Sequence, residues 1–109
     1  MASIYTIEKK DNHTIVRHNE EKAEIEINNT GELRKVLNSL IDKGETKILV
    51  DLKNIAYIDS SGLGVMLDAM KRLNESNGEL GLLSISKDVL EVFTSTKIAQ
   101  FFKFYKSAS

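Results

Sequence analysis

Ile58-Asp59-Ser60-Ser61-Gly62-Leu63-Gly64 lies where an extended apolar segment hands over to a helical repeat. Upstream, Ile48-Leu49-Val50, prolonged by Leu52, is a continuous apolar run too short for a helix, which suits a central strand covered on both faces. It leads through Ile55, Tyr57 and Ile58 to the serines. Downstream of Gly62, Leu63, Met66, Leu67, Met70 and Leu73 recur at helical spacing, and Asn77-Gly78 ends the repeat. The two hydroxyls therefore sit beside the free N–H groups of a helix start, where the positive end of the helix dipole favours a phosphate or another anion. Such a junction suits a charge-operated switch.

Outward from the junction, the N-terminal part reads as short strands over residues 4–8 and Thr14–His18, around the turn signal Asp11-Asn12, and over residues 23–27 after the polar turn Asn19-Glu20-Glu21-Lys22. Asn29 followed by Glu32 resembles a capping box, and Leu33, Val36, Leu37, Leu40 and Ile41 continue it as a helix that Lys43-Gly44 closes. On the C-terminal side, Leu80, Leu82, Leu83 and Ile85 form a strand. Ser86 can cap a short helix with Val89, Leu90 and Phe93 inward, and Phe102 and Phe104 alternate in a last strand. Strands alternating with helices predict an α/β fold with a partly parallel sheet and right-handed crossovers.

Bulk properties narrow the function. With 109 residues, no proline and no Gly/Ser-rich linker, residues 1–109 have room for one core and read as a single domain. Fifteen basic against 16 acidic residues leave a formal charge of -1, too little field to gather nucleic acid or an anionic membrane surface. Cysteine is absent, which excludes disulfides, thiolate zinc sites and thiol catalysis and is compatible with a reducing cytoplasm. The segment Met1-Ala2-Ser3-Ile4-Tyr5 lacks the basic and apolar regions of a signal peptide, and no stretch has the roughly 18 apolar residues of a membrane span. The expectation is a soluble, cytoplasmic protein.

Chemical signatures elsewhere are thin. Gly62-Leu63-Gly64 lacks the third glycine of a dinucleotide fingerprint, and no P-loop, G-x-S-x-G elbow or H-E-x-x-H helix occurs, so no cofactor and no metal are expected. His13 and His18 read as solvated or hydrogen-bonded, and the methionine stripe as core. Asp51 reads as a loop anchor and Asp59 as flanking the serines; Asp and Ser here could also be plain helix caps. Gly62 and Gly64, lacking Cβ atoms, should leave the serines accessible. If the stripe from Leu63 to Leu73 faces the core, Val65, Asp68, Ala69 and Arg72 lie on the opposite face, free for a partner, with Val65 the apolar contact.

Ala23-Glu24-Ile25-Glu26, Asn29, Ile48-Leu49-Val50-Asp51-Leu52 and Ile58-Asp59-Ser60-Ser61-Gly62-Leu63-Gly64, in this order, resemble a STAS domain, and more narrowly the free-standing bacterial anti-sigma factor antagonists. The resemblance implies a mixed β-sheet flanked by α-helices, with a partner surface made by the motif residues Asp59, Ser60, Ser61, Gly62, Leu63 and Gly64 at the start of their helix and by the loop holding Glu26 and Asn29. It also implies that Ser60 is phosphorylated by a partner that is both anti-sigma factor and ATP-dependent serine kinase. A PP2C-type phosphatase would remove the phosphate, and only the unmodified form would bind the anti-sigma factor and release the sigma factor. In this chain Glu26 stands where members of that family commonly carry the shorter aspartate. Local chemistry by itself does not choose between Ser60 and Ser61; the resemblance selects Ser60.

A phosphate adds about -1.5 to -2 charge at the helix start, where free N–H groups should receive it with a gain of about 0.3 to 1 kcal/mol. The switch must then act at the interface, where a buried, unpaired double charge costs several kcal/mol. Two other readings belong to different classes: a STAS scaffold subunit of a larger signalling or lipid-transport assembly, and a small hydrolase using Ser60.

Overall fold

The computed structural model describes residues 3–106; Met1 and Ala2, part of the segment read for a signal peptide, and residues 107–109 lie outside the described residues. Seven strands and three helices follow in the order β1 (Tyr5–Lys9), β2 (Thr14–His18), β3 (Ala23–Ile25), α1 (Thr30–Asp42), β4 (Lys47–Asp51), β5 (Ile55–Ile58), α2 (Ser60–Glu75), β6 (Glu79–Leu83), α3 (Lys87–Ser95), a 3-10 turn at Ala99–Phe101, and β7 (Lys103–Tyr105). The five-stranded sheet has the order β1-β2-β4-β6-β7, with β1 antiparallel and the other neighbours parallel. Val16, Val50, Leu82 and Phe104 share one register row across it. The strands β3 and β5 pair separately, as a parallel ribbon beside the site.

Because β2, β4, β6 and β7 advance in one direction across the sheet, crossovers of one hand place every helix on the same face. The core reflects this. Val16, Ile48, Val50, Leu80 and Leu82 join Leu33, Leu37, Met66, Leu73, Val89 and Phe93 in one buried cluster, so all three helices pack on that side. The strand β4 is buried on both faces, as its apolar run predicts, but the helices cover only one of them. Its other face carries Ile15, Leu49 and Leu83, which are roofed by Tyr105 rather than by a helix. The Lys47 amine lies 5.4 Å over the Tyr105 ring, whose hydroxyl donates to Glu79 at 2.7 Å. A buried Asp51 accepts from Arg17 at 2.7 Å along the same face. Gly81 makes the roof possible, since a Cβ there would lie 2.6 Å from Leu49 and 2.7 Å from the Tyr105 ring.

Local expectations were corrected at three ends. Asn29 makes no side-chain cap for α1; it accepts from the Glu26 N–H at 2.9 Å and donates to the Glu24 carbonyl at 2.8 Å, fastening the turn after β3. The strand β3 stops at Ile25, because residues 26–29 turn into α1. Phe102 precedes β7 and packs edge-on to Phe93 at 5.4 Å. Other signals hold as read: Ser86 caps α3 through the Val89 N–H at 3.2 Å, and Gly44, with a φ of 96°, follows α1.

Candidate functional site

The strand β5 ends at Ile58, and the chain turns directly into α2 with Asp59 as its N-cap. Aspartate suits the position because its carboxylate can accept from the backbone N–H groups that a helix start leaves unpaired. Asp59 Oδ1 accepts from the Ser61 N–H at 2.9 Å, the Gly62 N–H at 3.1 Å and the Ser61 hydroxyl at 2.5 Å. Its Oδ2 accepts from the Ile27 N–H at 3.1 Å. The Ser61 hydroxyl and these backbone donors favour the charged form and hold the carboxyl below its ordinary range.

The two serines consequently differ. Ser61 is half-buried and its hydroxyl is committed to Asp59, whereas Ser60 is exposed and its hydroxyl has no hydrogen-bond partner among the described residues. Two of the first-turn donors are committed as well. The Ser61 and Gly62 N–H groups, expected to stand free for a phosphate, are occupied by Asp59.

Gly62 and Gly64 also separate. A Cβ at Gly62 would come within 2.7 Å of both Ile25 and Ile58, so this glycine lets α2 close onto the β3–β5 ribbon and is itself buried. A Cβ at Gly64 would meet nothing within 4 Å, so of the two it is Gly64 that leaves open space on the helix near the serines. Leu63 requires correction as a partner residue: at 4% exposed it points into the core with the rest of its stripe.

Val65 requires correction as a candidate contact. It is 3% exposed, as is Ala69, because α1 packs along the flank of α2 that a single sheet-facing stripe would leave free. Asp68 and Arg72 are exposed but bridge the same two helices: Arg34 donates to Asp68 at 2.8 Å, and Arg72 donates to Asp42 at 2.8 Å and to Asn38 at 3.0 Å. Glu26 and Asn29 lie in the turn before α1, with the Glu26 carboxylate accepting from the Asn28 side chain at 3.3 Å and not from either serine. That turn contains a residue the sequence reading passed over. Ile27 is 68% exposed, and its own backbone N–H is the one held by Asp59. The alternation of Ala23, Ile25 and Ile27 assigns it to a strand, and the turn that begins after Ile25 carries it to the surface instead.

Chemically the site offers one accessible hydroxyl. Among the described residues no group of three or more His, Asp or Glu side chains could hold a metal ion, and no helix is long and apolar enough to cross a membrane. His18 is buried edge-on to Tyr5 at 5.1 Å, and its Nδ1 accepts from the Glu20 N–H at 3.0 Å, a structural placement.

A one-faced mixed sheet with a serine pair at the mouth of its middle helix defines a small α/β domain whose distinctive feature is an exposed hydroxyl at a helix start. The chain belongs to the STAS domain family, which matches it over residues 5–109. It is 34% identical to the anti-sigma-B factor antagonist of Staphylococcus aureus over 73 residues, 67% of this chain and 68% of that one. Among solved structures it is similar to a Thermotoga maritima protein assigned as an anti-sigma factor antagonist, with a TM-score of 0.86 and 28% identity over 95% of this chain and 87% of that one. Its fold also matches SpoIIAA, an anti-sigma factor antagonist solved in an unphosphorylated form (TM-score 0.71, 23% identity, 96% and 89% of the two chains). The phosphorylated form of the same Bacillus cell fate determinant aligns with a TM-score of 0.71, at 21% identity over 94% and 92%.

Proposed function

We propose that the protein is an anti-sigma factor antagonist switched at Ser60, acting by binding rather than by catalysis. In its unmodified state it docks onto an anti-sigma factor that is also a serine kinase, and the sigma factor is released in the cytoplasm. The kinase then transfers the γ-phosphoryl group of ATP to the Ser60 Oγ. The bond to ADP breaks, ADP departs and the hydroxyl proton is lost to solvent. A PP2C-type phosphatase hydrolyses the ester and restores the binding form. Ser60, Ser61, Gly64, Glu26, Asn29 and Ile27 form the docking surface around the acceptor, with the ion-paired Asp68 and Arg72 at its edge.

The observation that carries this reading is the contrast between the serines: Ser60 is exposed with a hydroxyl free of partners among the described residues, while Ser61 is tied to Asp59 at 2.5 Å. Support for the partner class comes from the relatives, which include antagonists of anti-sigma factors. A doubly charged group set into a desolvated interface without a cationic partner costs several kcal/mol. Each ~1.4 kcal/mol is a factor of ten in affinity, so one phosphate suffices to abolish docking. The test is incubation with ATP, magnesium and the anti-sigma kinases of the source organism. Mass spectrometry should place one phosphate on Ser60, Ser60→Ala should accept none and bind constitutively, and Ser60→Asp should bind at least tenfold more weakly with nearly unchanged melting. Phosphate on Ser61 alone, or equal affinity of Ser60→Asp and wild type, would refute the reading.

A further inference from the structure

Asp59 joins two segments that are far apart in sequence. Oδ1 lies in the first turn of α2 on the Ser61 and Gly62 N–H groups, while Oδ2 reaches the Ile27 N–H at 3.1 Å, across 32 positions of chain. The Asp59 N–H also donates to the Ile25 carbonyl at 3.1 Å, so the helix start and the turn before α1 are laced together by side chain and main chain at one residue. What that lacing displays is Ile27, an aliphatic side chain 68% exposed, with Glu26 and Asn29 beside it. An isolated exposed isoleucine contributes little to the core, and its backbone is nevertheless held by a charge-assisted hydrogen bond.

Resting on the antagonist reading above, we propose that Asp59 is a positioning residue that holds the Ile27 turn in the shape that docks, and that a phosphate on Ser60 acts partly by loosening this hold. The Ser61 and Gly62 N–H groups, one and two residues beyond Ser60, are already committed to Asp59 Oδ1, which leaves the N–H of Ser60 itself as the first-turn donor without a partner among the described residues. A phosphate dianion competes for the committed donors and repels the neighbouring carboxylate, so the carboxylate turns away. Any such turn draws Oδ2 off the Ile27 N–H and frees the loop. The phosphate thus blocks docking twice, by its own charge and by withdrawing an apolar contact.

Amide hydrogen exchange on the full chain tests the clamp without any partner. Three forms are compared: unmodified protein, protein carrying phosphoserine at position 60 incorporated during translation, and Asp59→Asn. The amide of the last form can still accept from the helix start but cannot also offer a second carboxylate oxygen to Ile27. Exchange at Ile27 should quicken at least tenfold in both altered forms, with Leu49 and Val50 in β4 unchanged. Unchanged exchange at Ile27 in the phosphorylated form overturns the coupling, and faster exchange throughout β4 overturns a local role in favour of general destabilisation.

Affinity for the anti-sigma factor that binds the unmodified chain supplies the second readout. Asp59→Asn and Ile27→Ala should each weaken binding at least fivefold, and the double variant should be no weaker than the worse single one, since both act through the same loop. Additive losses overturn the proposal. Should no anti-sigma factor bind even the unmodified protein, the antagonist reading fails, while the exchange rates still decide the clamp.

Discussion

Gly62 and Gly64 stand two positions apart in one motif and answer to different constraints. The first is held by contact, because a methyl group there would press to 2.7 Å on Ile25 and Ile58; the second faces open space. Gly62→Ala should therefore cost about 1–3 kcal/mol through overpacking. Gly64→Ala should raise stability by up to about 1 kcal/mol through helix propensity alone. Denaturant midpoints of the two variants against wild type check both signs. The serines show the same limit of local reading. Both are acceptable cap-region residues, but a carboxylate at the N-cap reaches back to the second and third helical positions, which takes the Ser61 hydroxyl and leaves Ser60 at the first position unbound.

At the scale of the element, α2 was legible as a helix and only half legible as a surface. Leu63, Met66, Met70 and Leu73 form the buried stripe that their spacing announces. Val65 and Ala69 are buried as well, because α2 lies against both the sheet and α1, and a helix held on two sides hides a wider arc than one stripe describes. Nothing in the spacing of α2 itself records where α1 will pack. Val65→Ser should accordingly act on stability, costing about 1–3 kcal/mol as a cavity and an unpaired hydroxyl replace a packed side chain. Arg72→Ala, which breaks only exposed contacts to Asp42 and Asn38, should stay within about 0.5 kcal/mol. Thermal melts of the pair distinguish a packing role for Val65 from the partner contact expected of it. The failed capping box at Asn29 has a similar origin: the side chain is more strongly engaged by the turn leaving β3 than by the helix it precedes.

Across the whole molecule, helices on one face leave the first strand to close the core at its edge, and Tyr5 does so at 6% exposure against His18. Burial, with the negative charge of Glu32 adding to it, pushes the Tyr5 hydroxyl from 10.0 up to about 12. The neutral phenol is thus favoured by folding. Its contribution is fully present below pH 10 and is lost as pH rises through the interval from 10.0 to about 12. Melting temperatures measured across that interval should fall less steeply for Tyr5→Phe than for wild type, and tyrosinate absorbance should report the late titration. The sequence by itself determined the alternation of strands and helices and the placing of a serine pair at a strand-to-helix junction, because the periods of 2 and 3.6 residues and the turn signals of Asn77-Gly78 and Lys43-Gly44 are local. The choice of serine follows from two-residue geometry once Asp59 is the N-cap. Only the tertiary structure decided which glycine is a packing requirement, that one face of the sheet is roofed by Tyr105, and that Asp59 reaches Ile27. Each of these depends on the distance between groups separated by many residues of chain, and that distance is set by how whole elements pack.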